Sequence, residues 1–391
     1  MDSVKTIAPQ DWMSNPNTVS IMGALGEGNA MFVGGCVRNA LLGMDVTDID
    51  IATKHKPDKV IEILKGEGIK VIPTGIDHGT VTAVINKQPF EITTLRKDIA
   101  TDGRRAVVAF AETWEEDAQR RDFTMNTLLA DAKGCIYDPT GQGLHDLEKR
   151  KVVFVGDAEQ RIQEDILRIL RFFRFHAIYG EGAPEDKALK ACAKYADKIK
   201  TLSKERITQE FLKIISVDNP VEILALMFDN NVLKEFVFDE ASLETLEHLC
   251  TFQNRYNLAF VASRIFTLAG FSLQNVDAMQ GLLLLPKVFK KDMQAIDAVL
   301  NLPDLSNEHA VKVAIYKHGR LPTAQSLMIE LATDRVMNGY APTAIGIIQK
   351  WDIPNFPLTG EDLMKQGIPQ GPELGAELER LEANWVRNNF K

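Results

Sequence analysis

Residues 30–53 read Ala30-Met31-Phe32-Val33-Gly34-Gly35-Cys36-Val37-Arg38-Asn39-Ala40-Leu41-Leu42-Gly43-Met44-Asp45-Val46-Thr47-Asp48-Ile49-Asp50-Ile51-Ala52-Thr53. The short apolar run Met31–Val33 ends at Gly34-Gly35, the pattern of a buried strand meeting a tight turn. Cys36–Leu42 then predicts one or two helical turns, stopped at Gly43. Paired glycines before a helix let backbone N–H groups approach a phosphate, and Arg38 adds a fixed positive charge one turn in. After Gly43 the period changes to two, with Ile49 and Ile51 on one side and Asp48 and Asp50 on the other. Two carboxylates at i and i+2 on a strand point the same way and repel unless a cation is shared between them. A pair of Mg²⁺ ions carrying a nucleoside triphosphate fits that need. An Asp-x-Asp alone is a common solvated loop sequence; its place after a strand, a Gly-Gly turn and a helix with an Arg gives it weight.

The rest of the chain sets limits on that reading. At 391 residues and 45% hydrophobic composition, two or more domains with real cores are expected. No apolar run of about 18 residues is present, so no membrane span or membrane partner is expected. Met1–Pro9 lacks an apolar signal core, which predicts a cytoplasmic protein. Cys36, Cys135, Cys192 and Cys250 show no Cys-x-x-Cys spacing and read as reduced thiols. The formal charge of −9 argues against a general nucleic-acid coat. Basic residues nevertheless gather in mid-chain, from Lys149 to Arg206, where an RNA backbone could lie.

Pro57 suits a helix start, with Val60, Ile61 and Leu64 as its apolar face. Ile69–Ile72, Thr80–Ile85 and Phe90–Arg96 read as strands, the last two joined by a turn at Asn86–Pro89. Asp102-Gly103-Arg104-Arg105 is a turn signal within a charged segment, so 97–111 reads as a mobile loop. His145-Asp146 reads as a surface pair. From Gln160 strand-like alternation vanishes and apolar spacings of three and four recur. An α/β part is therefore followed by a helical one. Trp12 and Met13 read as packing residues near the start, and Leu374, Leu378 and Leu381 as the stripe of the last helix.

Gly34-Gly35-x-x-Arg38 followed by Asp48-x-Asp50 resembles the head of the class II tRNA nucleotidyltransferases and bacterial poly(A) polymerases, within the polymerase-β-like nucleotidyltransferases. Arg120-Arg121-Asp122-Phe123-Thr124-Met125-Asn126 is close to the family's second motif, and Asp138–Gly143 to the third, a hinge. Glu164-Asp165-x-x-Arg168-x-x-Arg171-x-x-Arg174 resembles the fourth, and Ser203–Ile207 the fifth. The family commonly has Arg-Asp where this chain has Arg38-Asn39, and a proline where it has Ala106. The resemblance implies an elongated molecule with an α/β head, 1–148, then a helical neck carrying the base-reading residues, 149–215. A helical body and tail that bind tRNA, 216–391, complete it. It implies Glu91 as a third catalytic carboxylate beside Asp48 and Asp50, which hold Mg²⁺, and a binding role for Asn126 within its motif.

Residue chemistry suggests the division of labour. Arg121 can neutralise triphosphate oxygens, while Asp122 can accept a hydrogen bond from a ribose 2′-hydroxyl. Asp165 only accepts and Arg168 only donates; at i and i+3 on a helix they would meet one ligand edge. Cytosine and adenine both present an amino donor beside a ring-nitrogen acceptor, whereas uracil and guanine reverse the order. The pair would admit C and A alone. Arg171 and Arg174 continue the row toward phosphate. The implied activity is addition of CCA to tRNA 3′ ends from CTP and ATP without a nucleic-acid template, releasing pyrophosphate. No protein partner is implied. The alternatives are a CC-adding or A-adding specialist, a poly(A) polymerase, and a catalytically inactive tRNA-binding protein.

Overall fold

The computed structural model describes all residues except 103–104 and 233–239. It divides into two compact units, Met1–Phe211 with Leu226–Val232, and Leu212–Ala225 with Leu233–Lys391.

The first unit is built on a sheet of eight strands. In chain order they are β1 (Lys5–Thr6), β2 (Ala30–Val33), β3 (Asp50–Thr53), β4 (Lys70–Gly75), β5 (Thr80–Ile85) and β6 (Gln88–Thr94). A separate two-stranded ribbon, β7 (Arg96–Asp102) and β8 (Arg105–Phe110), comes next, and β9 (Leu129–Ala130) and β10 (Cys135–Tyr137) complete the sheet. Its order is β1-β10-β9-β2-β3-β6-β5-β4. Only β3 and β6 run parallel, with Asp50 opposite Glu91 and Ile51 opposite Ile92. The alternation expected around the Asp-x-Asp holds, since Ile49 and Ile51 are buried while Asp48 is exposed. The ladder begins at Asp50, however, so Asp48 lies in the irregular segment before the strand.

Met31, Phe32 and Val33 are buried and lead into Gly34, whose φ of 67° and ψ of −123° suit glycine and strain any other residue. That turn starts the Gly35–Leu41 helix. Trp12 meets Phe32 edge-on at 4.8 Å, and Met13 is buried beside this core. The β5–β6 turn places Asn86 and Lys87 at positive φ, as a tight hairpin requires.

The segment read as a mobile loop is an antiparallel ribbon, β7 paired with β8 from Arg96 opposite Phe110 to Asp102 opposite Arg105. Its β-branched content, Thr101, Val107 and Val108, favours strand over open loop. Gly103-Arg104, the centre of the expected turn, lies outside the described residues. Of the pair read as surface, His145 is exposed, but Asp146 is buried and accepts a 2.7 Å hydrogen bond from the Thr124 hydroxyl.

Beyond β10 the described residues form helices and their connections. In the first unit, Phe123, Phe154, Phe172 and Phe175 pack as an aromatic cluster with neighbouring ring centroids 5.0 to 6.4 Å apart. In the second unit the Arg320–Ala332 helix is buried along its length from Thr323 onward, enclosed by other helices. The last helix, Pro372–Arg387, seats Leu374, Leu378 and Leu381 only half-buried, and Val386 is its one fully buried side chain. No helix among the described residues is long and apolar enough to cross a membrane.

Candidate active site

A cavity of about 500 Å³ in the first unit gathers most of the residues singled out in the sequence: Gly34, Gly35, Arg38, Asp50, Arg121, Asp122, Asn126, Asp165, Arg168, Arg171 and Arg174. Leu167, Phe175 and Arg206 complete the lining. Asp48 and Glu91 do not line it. A larger cavity of about 1010 Å³ in the second unit, lined by residues of the Glu308–His318 and Pro372–Arg387 helices, contains no motif residue.

The carboxylates form one electrostatic group. Asp50 is half-buried, and its carboxyl is held above the ordinary range by burial and by repulsion from Glu91 and Asp48, with Arg121 opposing. At Gly34 a Cβ would make only ordinary contacts, 3.7 Å from Arg121 Nη1 and 3.9 Å from Asp50 Oδ2, so it is the positive φ and not crowding that calls for glycine there. Among the described residues no three His, Cys, Asp or Glu side chains converge into a ready-made metal cluster. The donor chemistry nonetheless fits a hard divalent cation. Asp48 and Asp50 carry oxygen donors whose mutual repulsion, with that of Glu91, such a cation would relieve.

Arg121 is held from behind by Asp117, whose Oδ2 accepts from Nη2 at 2.8 Å and from Nε at 3.1 Å. Asp117 Oδ1 binds Arg120 in the same fashion and also accepts the Arg96 backbone N–H. Burial alone would raise the Asp117 carboxyl; Arg121 and Arg120 outweigh it and hold the group below its usual range. Read from the sequence, Asp117 is one member of an acidic run. Its spacing of three and four from two arginines was the available signal.

Arg38 is 7% exposed and donates to Asn126 Oδ1 at 2.5 Å, to Tyr179 Oη at 2.7 Å and to Asn39 Oδ1 at 3.1 Å. Burial lowers its guanidinium pKa below the ordinary value. Asn126 in turn donates to Asp122 Oδ1 at 2.9 Å, and Asp122 Oδ2 takes Arg171 Nη2 at 2.5 Å. Burial would raise Asp122 as well, but Arg171 and the hydrogen bonds keep it low. Arg174 pairs with Glu210 at 2.5 Å. Glu210 and Tyr179 carry no local sequence signal for these contacts, because their partners lie 36 and 141 residues away.

Asp165 and Arg168 differ from expectation. Asp165 is not inside a helix; it ends Ala158–Glu164 in an extended conformation, φ −151° and ψ 107°, and its Oδ1 accepts the Leu167 N–H at the next helix start. An aspartate favours such a local bond to the backbone two residues on, made between helices, over a helix interior. Its Oδ2 is bound by Arg206 at 2.8 Å. Arg168 donates to Glu164 at 2.7 Å and to the backbone oxygens of Arg161 and Arg120. Their side chains line one cavity without pairing, although the Arg168 backbone N–H donates to the Asp165 carbonyl at 3.0 Å. Much of the mid-chain basic cluster is likewise matched internally, as in Arg161 with Glu164, Lys190 with Asp186 and Lys194 with Glu159.

Residues 30–153 match the family described as "Poly A polymerase head domain". Residues 183–241 match "Probable RNA and SrmB- binding site of polymerase A". The chain is 33% identical over 369 residues to the mitochondrial CCA tRNA nucleotidyltransferase 1 of Mus musculus, covering 92% of this chain and 83% of the mouse protein. The chain belongs to the CCA tRNA nucleotidyltransferase family. Another relative, the CCA-adding enzyme of Latilactobacillus sakei, is 33% identical over 91% of this chain and 89% of its own length. Among solved structures, the Bacillus stearothermophilus CCA-adding enzyme in complex with CTP superposes with a TM-score of 0.76 at 26% identity, covering 95% of this chain and 92% of that one. Membership of the CCA tRNA nucleotidyltransferases makes the chain a nucleotidyltransferase with an α/β head and a mostly helical remainder.

Proposed function

We propose that this chain adds the 3′-terminal C, C and A of tRNA from CTP and ATP, with no nucleic-acid template. The observation that carries this reading is the single cavity joining the Gly34-Gly35 turn and Asp50 to Arg121, Asp122, Asp165 and Arg168. It sets a polyphosphate-binding end and a hydrogen-bonding end within one nucleotide-sized space. Relatives named CCA tRNA nucleotidyltransferase and CCA-adding enzyme support the choice of tRNA as acceptor.

In the proposed reaction the 3′-hydroxyl oxygen of tRNA attacks the α-phosphorus, and pyrophosphate leaves with the electrons of the broken P–O bond. Asp48 and Asp50 would hold Mg²⁺, which when bound supplies charge neutralisation at the transferring phosphoryl group. Glu91, in register with Asp50, is the candidate to accept the hydroxyl proton. Arg38, Arg121, Arg171 and Arg174 bind phosphate oxygens, and Asp117 keeps Arg121 turned to the cavity. Asn126 orients Arg38 and Asp122 together, and Asp122 selects ribose. Asp165 and Arg168 read the base edge by exchanging present partners, Arg206 and Glu164, for the ring and amino groups of C or A. The head, neck, and body with tail, 1–148, 149–215 and 216–391, would divide catalysis, base reading and tRNA binding. We place the protein in a reducing compartment, consistent with four free cysteines. The sequence favours cytoplasm, while the mouse relative is named mitochondrial.

The test is a ladder assay with tRNA ending at its discriminator base. CTP alone should add two residues, CTP with ATP three, and ATP alone none. Long A tracts from ATP alone would indicate a poly(A) polymerase. Stopping at two with both nucleotides would indicate a CC-adding specialist.

A further inference from the structure

Of the guanidiniums lining the cavity, Arg121, Arg168 and Arg206 each pair with a carboxylate, Asp117, Glu164 and Asp165. Among the described residues no carboxylate lies within ion-pair distance of Arg38, and its buried Nε has no hydrogen-bond partner. Arg171 and Arg174 have one carboxylate each, Asp122 and Glu210. These three guanidiniums converge on one ring: Arg38, Arg171 and Arg174 place their Cζ atoms 5.1, 5.2 and 4.6 Å from the Phe175 centroid. Arg38 also lies 4.1 Å over Tyr179, one helical turn further on, with the two rings 5.4 Å apart. Three like charges so gathered repel one another. The negative π-face of an aromatic ring is the group here that attracts all three at once without satisfying their N–H donors.

We propose that Phe175, assisted by Tyr179, is a positioning residue that collects Arg38, Arg171 and Arg174 into one anion site for the polyphosphate tail of the incoming nucleotide. It sets affinity for the tail and leaves the choice of base to Asp165 and Arg168, neither of which lies over the ring. The proposal rests on the nucleotide-transfer reading above. A purely space-filling role is the rival, because Phe175 is 4% exposed and also packs on Phe123 at 5.0 Å. Ring electronics separate the two, since fluorine drains the π-face while barely changing shape.

The experiment replaces residue 175 in the full chain with phenylalanine bearing one, two or three ring fluorines, and adds Tyr179→Phe, which removes the hydroxyl that accepts from Arg38. At fixed Mg²⁺, inorganic tripolyphosphate is titrated as an inhibitor of CTP and ATP incorporation, its direct binding is followed by calorimetry, and thermal melts confirm folding. The inhibition constant and the KM for both nucleotides should rise together along the fluorine series, by about three- to tenfold at its end. The change in kcat should be smaller, and discrimination against UTP and GTP should hold. A tripolyphosphate affinity that is flat or rises with fluorination in folded protein overturns the proposal. So does a loss of base discrimination in its place. If wild type incorporates no nucleotide at all, the transfer reading fails, while the calorimetric series still decides whether Phe175 organises an anion site.

Discussion

The Asp165 carboxylate is bound by Arg206, 41 residues further along the chain at 2.8 Å, and not by Arg168 three residues away. Base reading through Asp165 and Arg168 therefore requires both side chains to exchange protein partners for the nucleotide. That exchange gives the first prediction a definite form. Arg168→Ala and Asp165→Ala should lower CTP and ATP incorporation and relax exclusion of UTP and GTP, by roughly tenfold to a hundredfold, the worth of one bidentate base contact. Misincorporation of all four ribonucleotides into tRNA ending at its discriminator base is the readout. Rate loss with an unchanged C-and-A pattern would show that the base is read elsewhere.

A second prediction concerns Asp117. Its depressed folded pKa means that its stabilising contribution is complete above the ordinary aspartate value of 3.8 and is lost as pH falls through the lower folded value. Asp117→Asn should leave Arg121 loosely held, raise the KM for both nucleotides about tenfold, and destabilise the fold by about 2 kcal/mol. Its acid-unfolding curve should be flatter than wild type below pH 4. Nucleotide KM values equal to wild type would remove Asp117 from the site.

Asp122→Ala should do two things at once. Losing the acceptor for a 2′-hydroxyl should admit dCTP and dATP, while the choice of base stays intact. It also leaves the half-buried Arg171 without its carboxylate, at a cost of about 2–3 kcal/mol that a urea melt would register. A stable variant that still rejects deoxynucleotides would contradict both roles.

Glu330 provides a pH prediction in the second unit. It is fully buried, its Oε2 accepts the Leu305 N–H at 2.7 Å, and Arg335 stands 3.6 Å from Oε1. Burial raises its carboxyl to about 7 from an ordinary 4.5. Between those values the folded state keeps a proton that the unfolded chain has released. Stability from this group is complete below 4.5 and declines as pH rises to 7, by up to about 3 kcal/mol. Glu330→Gln should flatten that decline and stabilise the protein above pH 7, as read by urea midpoints from pH 5 to 8. Identical pH slopes for variant and wild type would refute the assignment.

What the sequence made legible was local. The strand, Gly-Gly turn and helix at 30–41, and the alternation of Ile49 and Ile51, follow from short-range pattern and are present as read. Helical spacing puts Asp165 inside a helix, whereas it sits between two helices, where its carboxylate accepts the Leu167 N–H two residues on. The ribbon at 96–110 was hidden by its charged composition, although its β-branched residues pointed to strands. Contacts such as Arg38 with Tyr179, 141 residues apart, depend on how the helix 167–179 meets the head and have no local signature.

Nucleotide addition is expected at the Asp50 end of this cavity. Its most direct test is single-turnover incorporation of CTP onto tRNA lacking CCA by Asp50→Asn and Asp48→Asn, with tRNA affinity measured on the same preparations. Incorporation should fall on the order of a thousandfold or more with tRNA binding unchanged. Near-normal turnover in either folded variant would contradict this assignment.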